Sequence, residues 1–302
     1  MKSVCVLMST YNGEKYLREQ IDSILNQEKV TVQLIVRDDG STDRTVEILR
    51  EYEARKKIRL YTGVNIGYKK SFYWLLDHAP KSDYYAFADQ DDVWLEKKLS
   101  RAVTILQSEN LNIPLLYTSG LQCVDENLEY LRMQDFPNLK ISYRSEFVRH
   151  RFAGCTYVFN GLLRDRCKGA SEIDELNYGH DGFVAIMCWL AGGKVVYDRH
   201  SEILFRRHGG NASVDGGGLK KRIRNELALF TFKRNYKRNL ASVIVKYFDI
   251  STVPEYGDFT KTVADYKSSL KSKFKLLFAK GCDCGIPMAN IIFKLSVLCG
   301  VL

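Results

Sequence analysis

The sequence predicts an α/β fold, a mostly parallel, doubly wound sheet followed by a helical, basic C-terminal extension. Three observations predict it. Short apolar segments rich in β-branched and aromatic residues alternate with amphipathic helical ones over the first two-thirds of the 302 residues. Each carboxylate-rich or otherwise polar loop follows a strand rather than preceding one, and open sheets of this kind bind ligands at the carboxyl ends of their strands. The charge is also uneven: of a net +9, residues 219–280 hold fifteen Lys and Arg against five Asp and Glu.

The elements follow in order. "SVCVLMS" (3–9), "VQLIVR" (32–37), "IRLYTG" (58–63) and "YYAFAD" (84–89) read as strands. Between the first two, "EKYLREQIDSILNQ" (14–27) places Leu17, Ile21, Ile24 and Leu25 at helical spacing. In "TDRTVEILREYEA" (42–54) Val46, Leu49 and Tyr52 do the same, with Ser41 or Thr42 as the expected N-cap and Asp43 in the first turn. A helix over about 95–109 precedes "PLLYTSGLQCVD", which reads as one strand, and "FAGCTYVFNGLLRD" (152–165) reads as a strand ending at Asn160 and a helix start. A buried helix over about 181–191, with Gly192 and Gly193 beyond its end, leads into a further strand to 198. The triple glycine at 216–218 marks the expected boundary between a domain of residues 1–215 and a tail of residues 216–302.

Composition is that of a globular protein, with 45% hydrophobic and 27% charged residues. The eight cysteines include no CxxC pair, so buried thiols in a reducing compartment are expected rather than a disulfide framework. "CDC" at 282–284 is close-set, but no second cluster or nearby histidine completes a zinc pattern. The N-terminus stops at a polar turn after a short apolar run and reads as a strand, not a signal peptide. No segment has the roughly 20 uninterrupted apolar residues that span a bilayer.

Chemistry concentrates in the loops. "FADQDDVW" (87–94) sets Asp89, Asp91 and Asp92 behind an apolar run, where they repel one another unless a cation or hydrogen-bond donors relieve them. On an extended segment Asp89 and Asp91 would share one side, and hard cations such as Mg²⁺ or Mn²⁺ take few protein carboxylates, filling the remainder with water and phosphate oxygens. In "RDDGSTD" (37–43), Asp38 and Asp39 can accept hydrogen bonds from a nucleobase or ribose, or can form a plain Asp-Gly turn. "GHDGF" places His180 and Asp181 at a helix start, where a carboxylate can serve as general base or as cap. "FRRHGGN" offers Arg206 and Arg207 for phosphate and His208 for a metal shell. Two alternatives stand beside an enzyme that binds a metal and a diphosphate. One is a haloacid-dehalogenase-like phosphatase with Asp89 as nucleophile, although no later acidic pair follows an apolar strand. The other is a non-catalytic nucleotide-sugar-binding subunit.

Taken in order, "STYNGEKYL…DDGSTD…NIG…FADQDDVW…GCTYVFN…HDGF…RRHGGN" resembles the family 2 glycosyltransferases of bacteria, with the GT-A fold, and especially the rhamnosyltransferases of capsule and O-antigen synthesis. The resemblance covers residues 3 to about 213. It implies an inverting transfer from a nucleotide-diphosphate sugar, with a UDP or dTDP donor, to a glycan or lipid-linked glycan acceptor. It further implies that Thr10 and Tyr11 line the nucleotide pocket, that Asp39 binds the base, and that Asp89 contacts the ribose or metal. Asp91 binds the divalent ion, Asp181 is the base, and His208 is a late metal or diphosphate ligand, with Arg207 beside it. Gly154, Thr156, Asn160 and His180 fall in the stretches expected to face the acceptor. One departure is that Gly182, followed by Phe183, stands where many relatives carry an aromatic residue after the His-Asp pair.

The tail interleaves apolar and basic residues in 219–248 and 267–280, a pattern that suits an anionic membrane surface or the solvated basic face of a helical bundle. "IPMANIIFKLSVLCGVL" (286–302) is too short to span and carries Lys294, so a buried or interfacial helix is expected. A cytoplasmic protein on the inner face of the cell membrane is the expectation. No nucleic-acid partner is expected, because no recognised motif accompanies the charge.

Overall fold

The computed structural model describes residues 1–136, 138–209 and 235–302. The predicted boundary at 216–218, Asn211, and the basic stretch 219–234 lie outside the described residues.

A seven-stranded sheet forms the centre. Its strands are β1 (Lys2–Thr10), β2 (Val30–Asp38), β3 (Ile58–Thr62), β4 (Tyr84–Ala88), β6 (Leu115–Ser119), β9 (Val158–Asn160) and β10 (Lys194–Asp198), in the order β10-β6-β9-β4-β1-β2-β3. All pairings are parallel except those of β9, which runs antiparallel between β4 and β6. Strands β1 and β4 are apolar on both faces because both faces are covered. Cys5, Leu7, Tyr85 and Phe87 enter one core cluster, while Val4, Val6, Met8, Ala86 and Ala88 enter the other.

The second cluster is closed by α1 (Leu17–Leu25), α2 (Thr45–Ala54) and α4 (Lys98–Gln107); Leu17, Ile21, Ile24, Leu49 and Tyr52 enter it as their spacing predicts, whereas Val46 is only partly buried and Ile48 takes its place. The first is closed by α3 (Tyr68–His78), α5 (Tyr143–Val148), α6 (Gly161–Arg166) and α7 (His180–Leu190). It also takes in the C-terminal helices α8 (Tyr236–Tyr247), α9 (Pro254–Asp265), α10 (Leu270–Leu277) and α11 (Pro287–Cys299). Leu240, Ile244, Phe259, Val263, Tyr266 and Phe293 are buried in the same apolar cluster as Tyr73 and Phe183. The described part of the tail is thus packed into the core of the sheet domain.

Two expectations are corrected. "PLLYTSGLQCVD" is two strands in two sheets: β6 ends at Ser119, and β7 (Leu121–Val124) joins a four-stranded sheet with β5 (Val93–Trp94), β11 (Ile203–Arg206) and β8 (Tyr130–Gln134), in the order β5-β11-β7-β8. Gly120 makes the break, since a Cβ there would lie 2.9 Å from the Arg199 carbonyl oxygen. Neither Ser41 nor Thr42 caps α2, which begins at Thr45, with the Thr45 N–H donating to Asp43 Oδ1 at 2.9 Å. Ser41 is occupied elsewhere, donating its hydroxyl to Asp38.

Candidate active site

The loops after β1, β2, β3 and β4 meet at one sheet edge, as register demands: Thr10 pairs with Asp38, Asp38 with Thr62, and Met8 with Ala88. The first two loops interlock. Asp38 is buried and accepts from the Thr10 hydroxyl (3.0 Å), the Gly40 and Ser41 N–H groups and the Ser41 hydroxyl. Asn12, with φ at 48°, donates its N–H to Ser41 Oγ and accepts from the Thr42 N–H. Thr10 is therefore a strut: its side chain is fully buried, and it acts on any pocket through Asp38 rather than by lining it. Tyr11 is half exposed at the mouth, its backbone N–H and C=O held at 2.9 and 3.0 Å by the Gln90 amide. Asp39 is buried, paired with Arg37, and accepts the Ile66 and Gly67 N–H groups, which fastens the loop after β3 to the end of β2.

The carboxylate loop departs from the expected geometry. After Ala88 the chain bends instead of continuing extended, so alternation does not pair Asp89 with Asp91. Asp89, Asp92 and Cys155 converge instead, with ligand atoms within 4.8 Å of one another. Asp91 turns to His208, whose Nε2 lies 2.7 Å from Asp91 Oδ2. Burial, then the neighbouring Asp91 and Asp181 charges, push the Asp89 carboxyl up to about 7. Asp92 is fully buried and raised well above the carboxylate range for the same first reason. Its Oδ1 accepts the Arg206 N–H at 3.1 Å, and its Oδ2 has no partner. Underneath, burial lowers Lys98 to about 7, with its Nζ 3.6 Å from the Trp94 ring centroid.

Arg206 is not available to a phosphate. It is buried, bonds the Asp91 and Glu126 carbonyls and the Glu19 carboxylate, and lies over the Tyr16 ring. Its role is to lock the carboxylate loop to β11 and α1. Arg207 is partly exposed, lies over the Phe205 ring and ties its backbone N–H to the Val124 carbonyl.

Across from this loop, Asp181 sits in the first turn of α7. Its Oδ1 accepts the Gly182 N–H at 2.8 Å, and its Oδ2 is 3.4 Å from His150 Nε2. The other ring nitrogen of His150 is 2.7 Å from Glu146 Oε2, four residues earlier on α5. Burial opposes charge on both groups. The two carboxylates nevertheless raise the His150 imidazole to about 10, and the His150 cation holds Asp181 well below the usual carboxylate range. The base candidate is thus kept ionised by a Glu–His–Asp chain whose far end, Glu146, is buried. Sequence reasoning missed Glu146 and His150; their helical spacing in "EFVRH" was the available signal, but nothing local ties it to Asp181. Behind the turn, the Tyr236 hydroxyl of α8 accepts the Gly179 N–H at 3.0 Å, so the tail braces the base.

The acceptor-side expectations are largely corrected. His180 is buried, stacked on Phe72 at 3.9 Å and edge-on to Phe87, and burial pushes it down to about 4, so it is a neutral core residue. Thr156 is fully buried against Thr118. Asn160 pairs with Tyr84 at the opposite end of β4 and caps α6 by accepting the Leu163 N–H. Gly154 does belong near the base: a Cβ there would meet His180 Nε2 at 2.7 Å and Asp181 Cβ at 3.3 Å.

Residues 5–165 match the family model "Glycosyl transferase family 2". The dTDP-rhamnosyl transferase RfbG of Shigella flexneri is 28% identical over 223 residues, 68% of this chain and 72% of that protein. An uncharacterized glycosyltransferase of Nostoc sp. is 27% identical over 214 residues, 69% of this chain and 66% of that protein. Among solved structures, S. aureus TarS 1–349 aligns with a TM-score of 0.58 at 16% identity, over 100% of this chain and 81% of that one. It has also been solved in complex with UDP-GlcNAc. The mannosyltransferase PcManGT from Pyrobaculum calidifontis, in complex with GDP-Man and Mn²⁺, aligns with a TM-score of 0.50 at 18% identity, over 98% and 73% of the two chains. At these identities the structural likeness speaks for the shared GT-A fold. Together with the family match over more than half the chain, it displaces the phosphatase alternative: this protein belongs to glycosyl transferase family 2.

Proposed function

We propose that the protein is an inverting, divalent-cation-dependent glycosyltransferase that moves a sugar from a nucleotide-diphosphate donor to a hydroxyl of a glycan or lipid-linked glycan in cell-surface polysaccharide synthesis. The observation that carries the reading is Asp181, kept ionised by His150 and the Gly182 N–H at the same sheet edge as Asp89, Asp91 and His208. The nucleotide lies over the ends of β1 to β3, against Tyr11 and the loop that Asp39 fastens. The relative with dTDP-rhamnosyl transferase activity makes dTDP-rhamnose the first donor to test.

The residues fit a hard cation. Asp91 and His208, already in contact, offer a carboxylate oxygen and an imidazole, and Asp89 beside them is raised first by burial and then by the Asp91 and Asp181 charges. Cys155 does not suit Mg²⁺ or Mn²⁺, since burial keeps its thiol protonated. A cation held by Asp91 and His208, with Asp89 nearby, would supply positive charge to the diphosphate oxygens as the anomeric bond breaks.

Asp181 accepts the proton of the acceptor hydroxyl, whose oxygen bonds to the anomeric carbon. The bond from that carbon to the diphosphate breaks, and the diphosphate leaves with the electron pair. One displacement inverts the carbon, and no covalent sugar–enzyme intermediate is needed. Titration calorimetry with UDP and dTDP, with and without Mn²⁺, on wild type and Asp91→Ala, tests this. Cation-dependent binding of one nucleotide, lost in the variant, is expected. Indifference to both nucleotides would defeat the donor reading.

A further inference from the structure

Helices α10 and α11, which pack on each other, leave an apolar surface uncovered. On α10 and its C-cap, Leu270, Phe274 and Phe278 recur at intervals of four and are exposed, Leu270 and Phe278 by 74% each. On α11, Met288, Ile291, Leu295 and Leu298 recur at intervals of three and four and are also exposed, while Ala289, Phe293 and Val297 on its other side are buried in the core. The protein interior uses one face of a largely apolar helix and leaves the second bare. Seven large apolar side chains on two adjoining helices are a patch, not the scattered exposure common to any surface.

The rim is cationic. Lys271, Lys273, Lys275, Lys280 and Lys294 lie in or beside these helices, and among the described residues none of their side chains joins an ion pair. From 267 to 302 the sequence contains one acid, Asp283, and it is bound to Lys140.

We propose that this face is a docking surface for an anionic phospholipid bilayer, with the apolar side chains entering at the level of the acyl boundary and the lysines remaining among the phosphates. The charge selects the occupant. A second copy of the chain meeting this face across a two-fold axis would bring lysines against lysines, whereas anionic headgroups over an apolar interior complement both the rim and the centre. No helix among the described residues is long and apolar enough to cross a membrane, so the helices lie in the interface plane. The surface stands independently of the donor chemistry above, and it would hold the enzyme beside a lipid-linked acceptor.

The test is flotation of the full chain with vesicles of phosphatidylcholine alone and of phosphatidylcholine with about one-third phosphatidylglycerol. The wild type floats with the anionic vesicles and is released by salt. F274S/F278S and, separately, K271E/K273E/K275E each reduce the bound fraction at least about tenfold. Phe274, Phe278, Lys271 and Lys275 are exposed and Lys273 is partly so, and unchanged nucleotide binding confirms each variant's fold. A wild type that stays in solution with both vesicles overturns the proposal, as does a pair of variants that float like wild type. A dimer in sedimentation equilibrium that F274S/F278S dissociates, without any vesicle binding, would make the face a self-interface instead. Vesicle binding with no nucleotide binding would leave this surface standing and defeat only the donor reading.

Discussion

Asp181 and His150 set each other's charge, and the consequence is measurable in pH dependence. Asp181 is depressed, so its contribution to stability is present above the ordinary Asp value near 3.9 and is lost only as pH falls through its lower folded value. His150 is raised to about 10, so its contribution is complete below the ordinary His value near 6.5 and fades as pH rises through about 10. In His150→Gln the cation is gone and, of the groups that hold Asp181 ionised, the Gly182 N–H is left to oppose burial. The acid limb of the kcat–pH profile is expected to move to higher pH, and an unmoved limb would remove His150 from this role. Asp181→Asn should lower kcat by roughly 10²–10⁴-fold while leaving nucleotide binding in calorimetry unchanged. Full transfer activity in that variant would take the role of base away from Asp181.

At the scale of elements, strand ends and helix starts hold the charged residues, and small or buried neighbours fix their positions. Gly154 presses against His180 and Asp181 at distances that leave no room for a methyl group. Gly154→Ala is therefore expected to shift the start of α7 and lower kcat by about 10²-fold with the far-UV spectrum retained, since displacing a catalytic group by about 1 Å has effects of that order. Arg206, itself buried, connects β11 with the carboxylate loop and α1 through part-buried bonds. Arg206→Met should destabilise the protein by about 2 kcal/mol in urea unfolding, because it strands the Asp91 and Glu126 carbonyls without their donor, while the backbone N–H to Asp92 is kept.

For the molecule as a whole, the C-terminal helices belong to the core that carries the base. A chain ending after residue 209 would expose the Tyr73, Tyr178 and Phe183 surface that α8 and α9 cover. Each large apolar side chain left in water forfeits about 1.5–3 kcal/mol, comparable in sum to the stability of a domain. Such a truncation is expected to lose cooperative unfolding and near-UV signal; a cooperative transition like that of the full chain would show the sheet domain to be self-sufficient. In the intact protein, a donor nucleotide with Mn²⁺ at a hundredfold excess over Kd should raise stability by about 2.7 kcal/mol, read as a rise in Tm.

Local information sufficed for much of this. The apolar, β-branched runs of β1 and β2, the helical spacings of α1 and α2, the glycines after α7, and the placing of each polar loop behind a strand are short-range properties, so the alternating parallel sheet and its loaded edge were legible in the sequence. The sequence also singled out Asp91 with His208 and Asp181, because those residues stand in distinctive local patterns. Other outcomes depend on segments far apart in the chain. Glu146 and His150 reach Asp181 only because α5 packs on α7, and Asp89 turns to Asp92 and Cys155 only because the loop bends over the 3₁₀ turn at Gly154–Thr156. Thr10, His180, Thr156 and Asn160 look functional in a linear reading, yet the fold buries their side chains as struts, core and cap. Periodicity states which face of an element is apolar; which charged group stands opposite another is decided by packing, where burial and long-range pairing set both position and charge.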